Sequence, residues 1–399
     1  MKTRIAVFLG GRSPEHDVSV VTGLQALAAL DQSRFDAFVV YVTSQGDWLV
    51  GPGLDERKNY LPDAQLRATL TEVTLDIAAG GGGRLIPRKP GLFSRRPPTE
   101  FDVALLAFHG AGGEDGQFQG LFEAANLPYT GMRTLASAVL MDKAVTKRAL
   151  EGSGIPLLRH AVIERPATGL PAAAALDEAM RLANIGFPCI VKPVHLGSSI
   201  GVGKAETIEE VRALLAAIFR LDAQALIEPF VPNLVEYNVA VGRFGGGPRC
   251  SAIERPKRVE DLLDFRQKYL SGGDNKTGGK VLGSSSQGML SLTREINPDL
   301  SPQFADNLRR WAIAAFEAVG GTGAPRIDFL CNEATDEVWL NEANPCPGSF
   351  GFYLWEAAPE PLGFTALLSL LIEEAQARHR AAQLPDDPVP PDARLLKRP

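Results

Sequence analysis

A chain of 399 residues, 45% hydrophobic and 22% charged, has the make-up of a globular protein with two or three domains. A net charge of −6 with both signs interspersed and no Lys/Arg block argues against a nucleic-acid surface. Four scattered cysteines without a CxxC pair argue against a disulfide framework or a zinc site and fit a reducing compartment. No stretch approaches the roughly 20 apolar residues of a membrane span, and the apolar run 5–9 is too short for a signal sequence, so the chain is expected in the cytoplasm.

Residues 1–132 alternate strand and helix. Strand 5–9 ends in Gly10-Gly11, helix 18–30 follows, and 38–42 and 103–108 are further apolar strands. This pattern predicts an α/β domain around a parallel, helix-covered sheet. Segments 80–83 and 88–98, rich in Gly, Pro and Arg, read as loops around a short insertion. Residues 110–116 then lead into helix 117–125. A second unit, 133–225, carries helices 135–150, 172–183 and 208–220 and strand 189–193. The third unit, 226–377, opens with strand 226–228 and continues with strand 237–241, helix 307–319 and a hairpin of strands 325–330 and 337–344. The Pro- and charge-rich tail, 378–399, is expected to be disordered.

The hairpin is the most informative segment. Alternation puts Glu342 and Asn344 on one face of their strand, and strand pairing brings Asp328 beside them. Three hard oxygen ligands on a rigid hairpin suit Mg²⁺, which takes its remaining oxygens from water and substrate phosphates. The alternative is a surface hairpin of solvated acids. Lys192 ends strand 189–193, directly before the Gly/Ser-rich turn 195–204. Such a turn wraps anionic oxygens with backbone N–H groups, with the lysine as a point charge beside them. It lacks the GxxxxGK[ST] order of a P-loop, and its alternative is a flexible hairpin with an accidental lysine. Lys143, taken alone, reads as a surface lysine. Glu228 and Glu236 stand at strand ends, where an α/β protein accepts hydrogen bonds from a ribose or an adenine amine, and equally where solvated acids collect. Glu15 lies near a helix N-terminus, either as a dipole-compensating acid or as the holder of an ammonium group. His109, beside four glycines, reads as a structural histidine or as part of a close backbone approach to a ligand.

Taken in order, these segments resemble the D-alanine–D-alanine ligases of the ATP-grasp superfamily. The resemblance runs from Ile5 to about Gly348. It is carried by Leu9-Gly10-Gly11-Arg12-Ser13-Pro14-Glu15-His16-Asp17-Val18-Ser19, His109-Gly110-Ala111-Gly112-Gly113-Glu114-Asp115-Gly116 and Leu127-Pro128-Tyr129-Thr130-Gly131. It continues through Met141-Asp142-Lys143, Val191-Lys192-Pro193 with Gly197-Ser198-Ser199-Ile200-Gly201-Val202, Arg326-Ile327-Asp328 and Asn341-Glu342-Ala343-Asn344.

The resemblance implies an ATP-grasp architecture, with an N-terminal parallel-sheet domain on the first-substrate side and two α+β domains enclosing ATP. It implies an ADP-forming ligase that joins two D-alanines for peptidoglycan precursor synthesis, working on small amino acids as a homodimer, with ATP as co-substrate and two Mg²⁺ (or Mn²⁺) ions. On this reading Lys143, Lys192 and Ser199 bind ATP phosphates, and Glu228 and Glu236 the adenosine. Asp328, Glu342 and Asn344 hold the metals, and Arg326 stabilises the transferring phosphoryl group. Glu15 holds the first substrate's ammonium, linked through Ser198 to Tyr269 on a closing loop. His109, Lys268, Gly348, Tyr353 and Leu354 contact the substrates.

Two departures from the family fall on the acceptor side. The run 345–355 puts Tyr353 where the family has a serine for the second substrate's carboxylate, among the aromatics Phe350, Phe352 and Trp355, and 268–298 is long and Gly/Ser-rich. D-Alanine is therefore expected to serve better as first than as second substrate. The alternatives are a bulkier or aromatic amine acceptor, or a non-catalytic nucleotide-binding regulator.

Overall fold

The computed structural model describes residues 2–60, 64–78, 82–88, 97–197, 199–257, 294–383 and 393. Ser198, Lys268, Tyr269 and most of the 268–298 segment lie outside the described residues.

Three sheets organise the chain. The first holds seven strands: β1 (Thr3–Gly10), β2 (Phe35–Val42), β3 (Trp48–Val50), β4 (Thr71–Leu75), β5 (Gly83–Pro87), β6 (Thr99–Phe101) and β7 (Val103–Leu106), in the order β6-β5-β4-β3-β2-β1-β7. Only β2, β1 and β7 are parallel; β3 to β6 form an antiparallel extension. The parallel centre is the expected one. The sequence pattern predicts loops at 80–83 and 88–98 and no strands around them; β3 to β6 are only three to five residues long, too short for a clear alternation.

The second sheet holds β8 (Ala161–Glu164), β9 (Cys189–Pro193), β10 (Gly203–Ala205) and β11 (Gln224–Pro229), in the order β10-β9-β11-β8. β11 pairs with both β8 and β9. The boundary expected at 225/226 therefore falls inside this sheet and moves beyond Pro229. The third sheet holds β12 (Leu234–Phe244), β13 (Gly247–Pro256), β14 (Arg294–Ile296), β15 (Arg326–Asn332) and β16 (Glu337–Asn344), in the order β14-β13-β12-β15-β16.

Helix Pro302–Ala318 covers the third sheet. It starts at Ser301, whose hydroxyl accepts from the Phe304 amide at 3.3 Å, with proline in the first turn. Its buried face, Leu308, Ala312, Ala315 and Phe316, packs in one core with Val239, Ile327, Phe329 and Leu340. Helix Phe364–Ala382 joins the apolar face of β1 and β7 through Leu367, Leu371 and Ile372. It runs beyond residue 378, so the expected tail begins later. No described helix is long and apolar enough to cross a membrane.

The expected helix 135–150 is two helices, Thr134–Met141 and Lys143–Leu150. Asp142 between them is extended (φ −93°, ψ 105°), and its carboxylate caps the second helix through the Val145 amide at 2.8 Å. The break fixes Lys143 at the head of a helix whose next turn carries Lys147.

Candidate active site

Lysines from the second unit meet acids of the second and third. Lys143 Nζ donates to the Leu196 carbonyl at 2.7 Å and lies 3.2 Å from Glu342. Lys192, on β9, donates to Asn341 Oδ1 at 2.9 Å and pairs with Glu228 at 2.6 Å. Lys147 holds the other oxygen of Glu228 at 2.7 Å, and both of these side chains are only 2% exposed. Glu228 is thus the centre of a buried lysine–carboxylate–lysine triad. Lys147 and Asn341 escaped the sequence reading. Lys147 has a signal, its position four residues after Lys143 on the same helix face. Asn341 is the extra residue of a bulge between Asp328/Glu342 and Phe329/Leu340, and a bulge re-aims a side chain without leaving a mark in the alternation. Of the other nucleotide-side candidates, Ser199 is exposed in the left-handed region (φ 59°), and Glu236 is half-buried on β12 opposite Leu330.

Against the upward push of burial, the Lys192 and Lys147 ammoniums hold the Glu228 carboxyl down at about 2. The folded value is below the ordinary 4.5, so this stabilisation is present above about pH 4.5 and is lost as the pH falls towards 2. Glu228→Gln is expected to cost about 3–5 kcal/mol at neutral pH, because it leaves two lysine ammoniums without their buried counter-charge. The cost should shrink over that acid window, which urea titrations at stepped pH measure. A cost that does not change with pH would contradict the triad's charge.

On the hairpin, Arg326 forks onto Asp328 with Nε–Oδ1 at 2.7 Å and Nη2–Oδ2 at 2.6 Å. Asn344 Nδ2 donates to the same Asp328 Oδ2 at 2.9 Å. In register, Asp328 faces Glu342 and Arg326 faces Asn344, so the three expected metal ligands are brought together. The donor set is all hard oxygen, which is the chemistry Mg²⁺ requires. Among the described residues no group of three or more His, Cys, Asp or Glu side chains forms a metal cluster; Asn344 is the third donor here. Each carboxylate already faces a cation, Arg326 or Lys143.

The first unit contributes Glu15 and the 109–116 loop. Glu15 is buried at the start of helix His16–Ala29. A Cβ at Gly110 (φ +73°) would meet Ser13 Oγ at 2.4 Å and Glu15 Oε2 at 2.6 Å, and one at Gly197 would meet the Glu15 carboxylate at 3.5 Å. Glycine is required at 110 for its loop to close on the carboxylate, whereas a side chain at 197 would begin in ordinary van der Waals contact with it. His109 Nε2 lies 2.9 Å from Thr22 Oγ1, which also accepts from the Ser349 amide at 3.1 Å. Burial, with Arg326 nearby, pushes the His109 imidazole down to about 4, so it is neutral at pH 7. Glu114, not singled out from sequence, accepts from the Gly110 amide at 2.6 Å and the Cys346 amide at 2.8 Å. It ties the 109–116 loop to the segment after the hairpin. Burial and then the Glu15 charge push its carboxyl up to about 8.

The sequence matches the model of the D-ala D-ala ligase N-terminus over residues 4–132 and that of the D-ala D-ala ligase C-terminus over residues 149–373. The chain belongs to the D-ala D-ala ligase family. It is 32% identical to the D-alanine–D-alanine ligase of Heliobacterium modesticaldum, over 96% of this chain and 97% of that one. It is also 32% identical to that of Corynebacterium aurimucosum, over 94% and 98%. Among solved structures, the D-alanine–D-alanine ligase of Coxiella burnetii superposes with a TM-score of 0.73 at 25% identity, covering 95% of each chain.

In this D-ala D-ala ligase the acceptor-side run is mostly core, which corrects one expectation. Phe350, Leu354 and Trp355 are buried, Leu354 and Trp355 completely, against the helix Phe364–Ala382 and Phe244. Phe350 and Trp355 are therefore core side chains with Leu354 enclosed beside them, whereas Phe352 and Tyr353 of the same run are half-buried. Gly348 opens a short helical turn, Gly348–Gly351, in which Ser349, Phe350 and Gly351 are all left-handed. Tyr353 is held by its hydroxyl, which donates to Glu254 Oε2 at 3.1 Å. Leu354→Ala is expected to lower stability by about 2–5 kcal/mol and to leave both amino-acid KM values unchanged. Denaturant unfolding and initial-rate kinetics separate the two effects; an altered KM at unchanged stability would return Leu354 to the substrate site.

Proposed function

We propose that this ligase joins two D-alanines into D-alanyl-D-alanine, with ATP cleaved to ADP and phosphate. The observation that carries the reading is convergence. Glu15 and Gly110 of the first unit, Lys143, Lys192 and Gly197 of the second, and Arg326, Asp328 and Glu342 of the third meet through the contacts above. Such a charge-rich meeting point of three units suits phosphoryl transfer, where positioning and charge stabilisation do most of the work.

A carboxylate oxygen of the first D-alanine attacks the γ-phosphorus of ATP, giving an acyl phosphate and ADP. The amine of the second D-alanine, having lost its proton, attacks the acyl carbon, and inorganic phosphate leaves. Glu15, held between the two glycine loops, accepts from the first substrate's ammonium. Lys143 and Lys192 turn from their present carboxyl and amide partners to the triphosphate, and Glu228 and Glu236 accept from the adenosine. Arg326, fixed by its fork on Asp328, offers its remaining N–H groups to the developing phosphoryl and tetrahedral charge. Asp328, Glu342 and Asn344 would hold Mg²⁺, which when bound neutralises phosphate charge and orients the γ-phosphoryl group. Ser198, Tyr269 and Lys268 keep their proposed substrate roles on the strength of the family resemblance alone. On the same footing the enzyme works in the cytoplasm as a homodimer, supplying a peptidoglycan precursor.

A phosphate-release assay across D- and L-amino acids tests this. Phosphate release specific to D-alanine is expected. Release with another amino acid at higher kcat/KM, and none with D-alanine, would contradict it.

A further inference from the structure

Across the third sheet a single register row runs Glu342, Asp328, Asn238, Glu254, one residue each from β16, β15, β12 and β13. The row begins at the proposed metal ligands and ends at a carboxylate that the ligase reading leaves without a role. Glu254 is almost fully buried and gathers three donors: Asn238 Nδ2 at 3.2 Å, Tyr353 Oη at 3.1 Å and Arg294 Nη1 at 2.9 Å. Arg294 also lies over the Tyr353 ring, 4.7 Å from its centroid. Tyr353 in turn is close enough to Arg326 to feel its charge. The cluster thus lies on the register row of Asp328 and within the influence of Arg326.

Two polar atoms around Glu254 are unmatched. Arg294 Nε, a donor, and Asn238 Oδ1, an acceptor, are both buried without a hydrogen-bond partner among the described residues, and Asn238 as a whole is only 4% exposed. Buried orphans of this kind are rare and mark a missing partner. An unmatched guanidinium N–H asks for an anionic oxygen, and an unmatched amide oxygen asks for an N–H donor. A carboxylate and an ammonium are what one α-amino acid brings. Two strand spacings, about 10 Å, separate the Asp328 and Glu254 positions, so side chains from both ends reach one molecule of that size.

We propose that Arg294, oriented by Glu254 and stacked on Tyr353, is the anchor for the acceptor's carboxylate in this ligase, in place of a small hydroxyl side chain at position 353. The inference rests on the ligase reading above and adds the side chain by which the second amino acid is selected through its carboxylate. Glu254 positions Arg294 and does not itself contact the substrate.

The test uses the purified full-length enzyme with ATP and D-alanine, comparing D-alanine with D-alaninamide as acceptor. The wild type is expected to favour D-alanine by about tenfold to hundredfold, the loss that follows when a charged hydrogen bond is left unmade. Arg294→Lys keeps the charge facing Glu254 but removes the Nε–H and the planar fork. It should erase most of this preference and raise the acceptor KM, with the donor and ATP KM values unchanged. Arg294→Gln, which also removes the charge, should erase the rest. A purely structural role would change stability and leave the carboxylate-to-amide preference intact; that result overturns the assignment. Absence of any D-alanine-dependent phosphate release by the wild type would instead overturn the ligase reading, and this assignment with it.

Discussion

Glu342→Gln is expected to lower turnover by about 10²–10³-fold, on the scale of losing one charge-stabilising group from a preorganised site. The residue sits on β16 in register with Asp328 and 3.2 Å from Lys143 Nζ. The amide keeps the shape of the side chain and still accepts a hydrogen bond from Lys143, so the fold and its melting temperature should stay close to wild type. What disappears is the negative charge that would help hold Mg²⁺ against the triphosphate. The KM for Mg²⁺ should rise along with the fall in kcat, which initial rates at varied Mg²⁺ measure. Near-wild-type turnover at low Mg²⁺ would remove the hairpin from the chemistry.

Lys192→Ala should have an effect of similar size on turnover, about 10²–10³-fold, accompanied by weaker nucleotide binding in calorimetry. Unlike Glu342→Gln it should also cost stability. Glu228 would keep only Lys147 as its ion-pair partner, and loss of a hydrogen bond to a buried charged group costs about 1–3 kcal/mol. The paired readout separates two roles. In this conformation Lys192 is engaged by Glu228 and Asn341, so phosphate binding requires it to be shared or released. A variant that loses stability but keeps ATP affinity and kcat would show Lys192 to be only a strut of the triad.

The sequence made the hairpin legible almost residue by residue. Alternating apolar positions on both sides of a polar turn gave β16 its observed bounds and the Asp328/Glu342 pairing, because strand periodicity is local information. The buried parallel strands were legible for the same reason, and helix Pro302–Ala318 through its helical spacing from residue 307 on, though not in its first five residues. What was lost lacked a local period or depended on a distant partner. The strands β3 to β6 are too short for a clear alternation, and β13 opens in a glycine-rich stretch. The break at Asp142 was hidden because good helix formers continue on both sides of it; only the capping carboxylate marks the start of the second helix. Glu114 braces Cys346, 232 positions away, and Glu254 meets Tyr353, 99 positions away. Neither pairing leaves a spacing to read. Phe350 and Trp355 misled because sequence reports that side chains are large and apolar, and not whether a helix such as Phe364–Ala382 covers them.

The converging lysines, acids and Arg326 are proposed to carry out ATP-driven peptide-bond formation between D-alanines. Mass-spectrometric analysis of a reaction containing only the purified protein, ATP, Mg²⁺ and D-alanine tests it most directly. The expected result is D-alanyl-D-alanine formed with one ADP and one phosphate per dipeptide. ATP turnover without dipeptide, or no turnover by a folded protein that binds ATP, would contradict it.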